Sequence, residues 1–226
     1  MGSTANAVGA GLRRSAGLAA STFVLGVTFG ALARAHGWGT AAPVVASFGI
    51  FSGSAQFALL SALAGGGAAW TAVASAGLIN LRFLPMALAV NPALRGGRLR
   101  RAVEAQSIVD GAWVLAHQGD GRFDRGVLFG SALAQWPAWV TGTVLGVIAA
   151  PPTHLLDAAG LDVVFPAFFA LLLLDELRHR PTARRAAAAG ALITTVLLLV
   201  LPTGPALLGG ASAALLGLRR HDTDQC

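Results

Sequence analysis

Long apolar segments separated by short polar stretches make up most of this chain. Because one membrane span takes about 20 apolar residues, a chain of 226 residues holds roughly six to eight spans and short connections. The pattern predicts an all-α, polytopic helical membrane protein with about seven spans. The candidate spans run approximately from Ala16 to Ala35, Pro43 to Ala64, Ala68 to Val90, Gly126 to Ala149, Leu161 to Leu174, Ala186 to Leu201 and Pro205 to Leu218.

An eighth stretch, from Ala102 to His117, is shorter and contains Glu104 and Asp110. It fits a span, a re-entrant segment or an interfacial helix, and periodicity does not decide among the three. Residues 1–15 are predicted to be a disordered tail, 16–218 a single transmembrane domain, and 219–226 a cytoplasmic tail. The pair Arg13 and Arg14 before an apolar run imitates a secretory signal, but a retained first span is the preferred interpretation because the downstream chain is also apolar.

Composition agrees with a membrane protein. Hydrophobic residues make up 55% of the chain and charged residues 12%, with a mean hydropathy of +0.67. A soluble domain normally carries about twice that share of charge. The length leaves no room for a separate soluble catalytic domain.

Arginine supplies all sixteen basic residues, and the formal net charge is +6. The arginines gather at the ends of apolar stretches and form no stripe with aromatic residues, which indicates topology determinants rather than a nucleic-acid surface. Seven spans with an outside N-terminus put nearly all loop arginines inside, whereas eight spans preserve an internal repeat and put residues 95–101 outside. Both topologies place 178–185 and the C-terminal tail in the cytoplasm.

A weak internal repeat relates two parts of the chain. SGSAQF aligns with GSALAQW, which pairs Gln56 with Gln135, and a later match pairs Pro85 with Pro166. The repeat predicts halves 16–92 and 99–177 in inverted orientation, with additional helices in 186–218. Each proline frees a carbonyl four residues earlier, and inverted repeats with interrupted helices hold binding sites near the bilayer midplane.

Glycines also recur at a spacing of four residues. In a lipid environment, such pairs let helix backbones approach closely, so we expect helix contacts rather than ligand contacts. The pairs are Gly26 and Gly30, Gly49 and Gly53, Gly126 and Gly130, and Gly142 and Gly146.

Polar and ionisable residues inside apolar spans are costly and by default face a bundle interior or a water-filled path. Five candidates for substrate binding meet this condition, and Ser54 of the SGSAQF motif is added to them. The six residues are Ser54, Gln56, Asn80, Arg82, Asp110 and Asp162. Arg82 needs a carboxylate, which either a substrate or an ion pair with Asp110 or Asp162 would supply. Asn80 and Arg82 face one site only if the helix loosens before Pro85.

The other candidates also have structural alternatives. Asp162 fits the N-cap of a span, and Gln56 fits a simple hydrogen bond between helices. No pair of histidines has metal-ligand spacing, so we expect no metal and no cofactor. No nucleophile with its base can be assembled from these residues, so an enzyme is not expected.

Five motifs in a fixed order carry a family resemblance: GVTFGALA, FSGSAQFALL, INLRFLPMALA, IVDGAWVLA and GLDVVFPAFFALLL. Together they resemble the AzlC family of branched-chain amino acid exporters over nearly the whole chain, from about Gly17 to Leu218. The resemblance implies a multi-pass protein of the bacterial inner (plasma) membrane that exports L-valine and related amino acids. It also implies a small AzlD-type membrane partner subunit. One departure is Gly111, where the family usually has an acidic residue after Asp110.

A zwitterionic substrate needs donors for its carboxylate and acceptors for its ammonium group. We expect Arg82, Asn80 or the free amides of broken helices to hold the carboxylate, while Asp110, Asp162 and freed backbone carbonyls hold the ammonium group. The absence of a phosphate-binding GxxxxGK[ST] motif in this sequence argues against ATP use by the chain. The alternatives are an exporter of another small solute and a non-transporting scaffold subunit. Membrane lipids are expected contacts, nucleic acid is not, and homo-oligomerisation stays open.

Overall fold

A computed structural model of the chain describes residues 2–119, 121–150 and 183–201, with isolated positions among 170–178 and 206–212. Most of these residues are helical. The helices are α1 (Gly2–Arg14), α2 (Ala16–Ala35), α3 (Ala41–Ile50), α4 (Gly53–Ala64), α5 (Ala69–Asn80), α6 (Phe83–Val90) with a following 3-10 turn (Asn91–Ala93), α7 (Arg98–Ala105), α8 (Asp110–Ala116), α9 (Arg125–Ala149) and α10 (Ala183–Leu198).

A short hairpin is the exception to the predicted all-α fold. Strand β1 (His117–Gly119) pairs antiparallel with β2 (Arg122–Phe123) between α8 and α9. The side chain of Asp124 then accepts a 3.0 Å hydrogen bond from the amide of Val127. Since a carboxylate at this position satisfies an otherwise free amide and complements the helix dipole, Asp124 fixes where α9 begins.

The described residues fall into two compact units. The first contains residues up to Gln56 and from Asn80 to Ala150; the second contains Phe57 to Ile79 and the described positions from 170 onward. In the first unit, α9 packs against α1, α2, α3 and α8. Its apolar core includes Val90, Leu94, Ile108, Ala112, Val127 and Leu128. The second unit includes α10 and the larger parts of α4 and α5.

Glycines let α2 and α9 approach closely, as their spacing predicted. A Cβ atom on Gly26 would lie 2.6 Å from the carbonyl oxygen of Trp139, and one on Gly30 would overlap the carbonyl oxygen of Thr143. From the other side, Gly142 and Gly146 have no room for a Cβ against the α2 backbone. The contact prediction is confirmed for these two pairs.

The other two glycine pairs differ from each other in their surroundings. Gly126 and Gly130 pack against the backbone and side chains of α1, which confirms a helix contact. Gly49 has open space around it, and Gly53 lies against the ring of Trp139. The prediction of a helix contact is confirmed for Gly53, which packs against α9, and was wrong for Gly49.

The N-terminal segment is ordered as α1, so the disordered tail predicted for residues 1–15 was wrong. The helix ends with Arg13 and Arg14, where basic residues complement the helix dipole. It packs on α9 because small residues allow it: Gly130 meets the carbonyl oxygen of Val8, and Gly11 would meet that of Val127. Disorder was predicted because the segment has low hydropathy. Its small residues nevertheless form a helix face that packs closely against another helix.

Three predicted segments are interrupted. Phe51 and Ser52 separate α3 from α4, Leu81 and Arg82 separate α5 from α6, and residues 106–109 separate α7 from α8. The predicted span from Pro43 to Ala64 is therefore two shorter apolar helices. The loosening expected before Pro85 is confirmed, and this proline lies in the first turn of α6, where its missing amide costs little.

Three helical runs are long and apolar enough to cross a membrane: Ala16–Ala35, the interrupted run Ala69–Ala93, and Arg125–Ala149. They match three predicted spans. The segment predicted from Ala186 forms α10, which has 16 residues. The segments predicted over 161–174 and 205–218 lie largely outside the described residues, so the count of seven stays a prediction, as does the division into repeat halves.

Candidate functional site

Polar side chains of the first unit gather at the three helix interruptions. Ser52 and Ser54 lie at the start of α4, Asn80 and Arg82 at the junction of α5 and α6, and Asp110 at the start of α8. We call these five residues the break cluster. The backbone leaves the helical path at Phe51 and Val109, whereas at Leu81 and Arg82 it tightens into a turn, and these interruptions let side chains distant in sequence reach one another.

Arg82 is the centre of the break cluster. Its Nε donates to Oδ1 of Asp110 at 3.1 Å, and its Nη2 donates to Oδ2 at 2.7 Å, which is the forked geometry of an arginine and a carboxylate. The same Nη2 also donates to Oγ of Ser54 at 2.7 Å. The ion pair expected as one alternative for Arg82 is therefore present.

Neither side chain of this ion pair is buried within the protein. The side chain of Arg82 is 34% exposed and that of Asp110 is 61% exposed. A second carboxylate can therefore reach the guanidinium and compete with Asp110 for it.

The second contact in the break cluster joins Ser52 and Asn80. The hydroxyl of Ser52 donates to Oδ1 of Asn80 at 2.7 Å. It links the interruption before α4 to the end of α5. The carbonyl of Leu81, which was expected to be freed for a ligand by Pro85, instead accepts a 3.0 Å hydrogen bond from the amide of Leu84. The helix restarts by a tight turn, so that expectation was wrong.

Gln56 belongs to a different network, buried between α3, α4 and α9. Its Oε1 accepts from the indole Nε1 of Trp139 at 2.7 Å, and its Nε2 donates to Oγ of Ser47 at 3.3 Å. Ser47 also shares a 2.9 Å hydrogen bond with Oγ1 of Thr143. Both ends of the Gln56 amide are used within the protein, which corresponds to the interhelical alternative noted from the sequence.

An apolar cavity of about 510 Å³ opens beside two of the interruptions. Phe51 from the first interruption and Gln106 and Ser107 from the third contribute to its wall. Aromatic residues dominate the rest of the lining: Phe48, Phe129 and Trp136. No sequence pattern indicates this cavity, because its walls come from segments that are distant along the chain.

Gly111, the departure from the family motif, has a specific neighbour. A Cβ at this position would lie 2.8 Å from Oε1 of Gln135 and 3.1 Å from Cδ1 of Leu18. The amide of Gln135 is in turn held by a 2.9 Å hydrogen bond from its Nε2 to Oγ of Ser131. The space that a side chain at position 111 would need is therefore occupied in part by Gln135.

The structure brings together four of the six sequence candidates, namely Ser54, Asn80, Arg82 and Asp110, and adds Ser52. Gln56 is placed in the neighbouring buried network. Asp162 lies outside the described residues, so its role stays a prediction. Four residues of these two networks were not predicted from the sequence as site residues, namely Ser47, Ser52, Thr143 and Trp139. Short hydroxyl side chains and tryptophan are common in membrane helices, so they form no distinctive pattern.

The sequence profile described as "AzlC protein" matches residues 17–151, which include the whole break cluster. The chain belongs to the AzlC family. Proteins of this family are membrane proteins related to transport and are not enzymes.

Relatives of this AzlC family chain are also membrane proteins. An "Uncharacterized membrane protein" of Archaeoglobus fulgidus is 29% identical over 161 residues, which are 68% of each chain. A protein of the same printed name from Helicobacter pylori is 24% identical over 69% of each chain. The "Inner membrane protein YgaZ" of Escherichia coli is 25% identical over 75% of this chain and 73% of its own length.

No solved structure matches the chain. Together with the three long apolar helical runs, the family and its relatives identify a multi-pass membrane protein with a transport-related role.

Proposed function

We propose that this chain is a secondary exporter of branched-chain amino acids, L-valine and related substrates, across the bacterial inner membrane. It acts as the large subunit of a two-component exporter with a small AzlD-type membrane subunit. Membership of the AzlC family supports a transport role. The substrate class and the partner are the proposal.

The forked pair of Arg82 and Asp110 is the observation that carries the proposal. An amino acid is a zwitterion, and this pair offers one group for each of its charges. When the substrate carboxylate replaces Asp110 on the guanidinium, the carboxylate of Asp110 is released to accept the substrate ammonium group. Ser54, which already receives a hydrogen bond from Arg82 at 2.7 Å, keeps the guanidinium oriented during the exchange.

The apolar cavity supports an aliphatic substrate. Its volume of about 510 Å³ exceeds what a branched side chain needs, and its lining is largely aromatic. The expected energy source is a proton relay through carboxylates, with Asp110 and Asp162 as its candidates. Alternating access then requires movement at the helix interruptions.

The first experiment measures valine efflux. Cells loaded with a valine-containing dipeptide express this chain alone, this chain with a small AzlD-type subunit, or neither. We expect rapid efflux only when both subunits are present. Equal efflux in all three would contradict export, and undiminished transport of a second solute in the presence of excess valine would point to a different substrate.

The second experiment separates substrate contact from a structural ion pair. Arg82→Ala and Asp110→Ala should each abolish efflux, while Arg34→Ala, an exposed arginine at the end of α2, should not. The exchanged double variant Arg82→Asp with Asp110→Arg restores an ion pair but reverses the two charges. We expect it to restore folding without restoring efflux. Recovered efflux would show that the pair is only structural, and full activity of Arg82→Ala would favour a scaffold subunit.

A further inference from the structure

Helix α7 has an unusual distribution of side chains. Its carboxylate, Glu104, is buried, whereas Leu99 is 81% exposed and Val103 is 67% exposed. Residues four apart lie on the same face of a helix, so these two aliphatic side chains form one continuous strip. A helix on a water-facing surface would have the opposite arrangement, with its aliphatic face inward.

Hydrogen bonds fix this orientation. Glu104 accepts from Arg125, from Nε of Arg100 at 3.1 Å and from the backbone amide of Arg95 at 3.0 Å. The hydrogen bond from Arg125 is the largest of the effects that lower the pKa of Glu104 to about 2, against the opposing effect of burial. The buried carboxylate is therefore held by several donors, and Leu99 and Val103 are held facing outward.

The same contacts place α7 beside the ends of two long apolar runs. Arg125 is the first residue of α9, which is one of the long apolar runs, and α7 begins at Arg98, soon after another such run ends at Ala93. Helix α7 is thus joined by the chain to one span end and by an ion pair to another. Span ends lie at the level of the lipid headgroups.

The charge around the aliphatic strip is strongly positive. The side chains of Arg95, Arg98, Arg100 and Arg101, in α7 and just before it, are exposed, and Glu104 is the sole acid within α7. Because Glu104 is already paired, it leaves this surface cationic. Aliphatic residues flanked by arginines are typical of helices that lie in the interface of an anionic membrane.

We propose that α7 is an interfacial helix that binds anionic phospholipids of the surrounding bilayer. Leu99 and Val103 insert between the headgroups and the upper acyl chains. Arg98 and Arg101 bind lipid phosphates. A protein partner at this surface is the competing occupant, but a strip of two aliphatic side chains with exposed arginines in and just before the same helix matches the chemistry of a phospholipid better than that of an apolar transmembrane subunit.

The test uses the full chain in nanodiscs, with Cys226→Ser to remove the single native cysteine. A nitroxide label is attached at Leu99→Cys and, in a second variant, at Val103→Cys. Collision with oxygen, which concentrates in lipid, is compared with collision with a water-soluble nickel chelate. The reference position is Gln118→Cys, an exposed site in β1.

In discs containing phosphatidylglycerol, we expect both α7 labels to be at least threefold less accessible to the nickel chelate than the label at Gln118. Arg98→Gln with Arg101→Gln should raise that accessibility at least twofold. Arg13→Gln with Arg14→Gln, which removes the same charge from the exposed end of α1, should leave it unchanged. For the protein without these arginine substitutions, discs of neutral phosphatidylcholine should raise the nickel accessibility of the α7 labels as much as Arg98→Gln with Arg101→Gln does in anionic discs.

Equal nickel accessibility at Leu99, Val103 and Gln118 in anionic discs would overturn the proposal. Shielding of Leu99 that appears only when a small partner subunit is present, independent of lipid charge, would also overturn it and assign this surface to a protein interface. The readout requires no substrate, so it succeeds or fails independently of the export experiment.

Discussion

The indole Nε1 of Trp139 donates a 2.7 Å hydrogen bond to Oε1 of Gln56, and both side chains are almost completely buried. The bond joins the middle of α9 to the first turn of α4. Gln56 also donates to Ser47 of α3, so a single amide connects three helices. This network holds the start of α4, and with it Ser52 and Ser54, at a fixed place on α9.

Substitution of Gln56 should therefore act through stability. Gln56→Ala leaves the buried indole N–H without its acceptor, which we expect to cost about 1–3 kcal/mol. Thermal unfolding of the detergent-solubilised protein measures this, with Gln118→Ala as the exposed control. In a double-mutant cycle with Trp139→Phe, the two losses should be strongly non-additive. A higher KM for efflux with unchanged stability would instead indicate direct substrate contact by Gln56.

Because α2 packs closely on α9, alanine substitution should destabilise the protein at a glycine in the contact but not at a glycine outside it. Gly146→Ala places a methyl group against the carbonyl of Val27 and the amide of Ala31, the latter at 2.8 Å, so we expect a loss of about 1–3 kcal/mol. Gly17→Ala, at a site with open space in the same helix pair, should be neutral or stabilising by up to about 1 kcal/mol. Thermal unfolding compares the two variants. Equal effects would contradict the helix contact.

The Glu104 contacts predict a specific acid sensitivity. The folded pKa of Glu104 is about 2, below its ordinary value of 4.5, so its stabilising contribution is complete above the ordinary value and is lost as the pH falls toward 2. Glu104→Gln should lower the unfolding temperature at neutral pH. It should also flatten the decline in unfolding temperature between about pH 5 and pH 2. Parallel declines for the variant and the wild type would contradict the assignment.

Gly111 should tolerate a side chain only if Gln135 is removed. The added Cβ of Gly111→Ala displaces the Gln135 amide from its hydrogen bond with Ser131, for an expected loss of about 1 kcal/mol. In a Gln135→Ala background, the same change should be nearly neutral. The coupling energy from a double-mutant cycle checks this. A coupling near zero would mean that Gln135 does not occupy this space.

Long, uninterrupted apolar segments are the part of the fold that the sequence predicts well. The span predicted from Ala16 to Ala35 matches α2, and the one predicted from Gly126 to Ala149 matches α9 apart from its first residue. The interruption at Phe51 and Ser52 was missed because every residue around it is compatible with a membrane helix. The break is set by contacts with other helices, which a local pattern does not record.

In the candidate site, too, some features could be predicted from local sequence and others depend on contacts between helices. A guanidinium in an apolar segment demands a carboxylate, and that physical rule named Asp110, Asp162 or a substrate as the partner of Arg82 without deciding among them. The hydrogen bond between Ser52 and Asn80 could not be anticipated, since serine and asparagine satisfy themselves locally in many helices. For Gln56, burial could be predicted from its apolar surroundings. Its choice of Trp139 depends on how α4 packs on α9.

Phe51 has a left-handed backbone, with φ at 34°, between α3 and α4. A residue with a Cβ pays about 1–2 kcal/mol for that conformation, so the surrounding contacts must hold it there. Fusion of α3 and α4 into one continuous helix would release this strain and would also move Phe51, which lines the cavity. The shape of the cavity and the backbone energy of Phe51 would therefore change together.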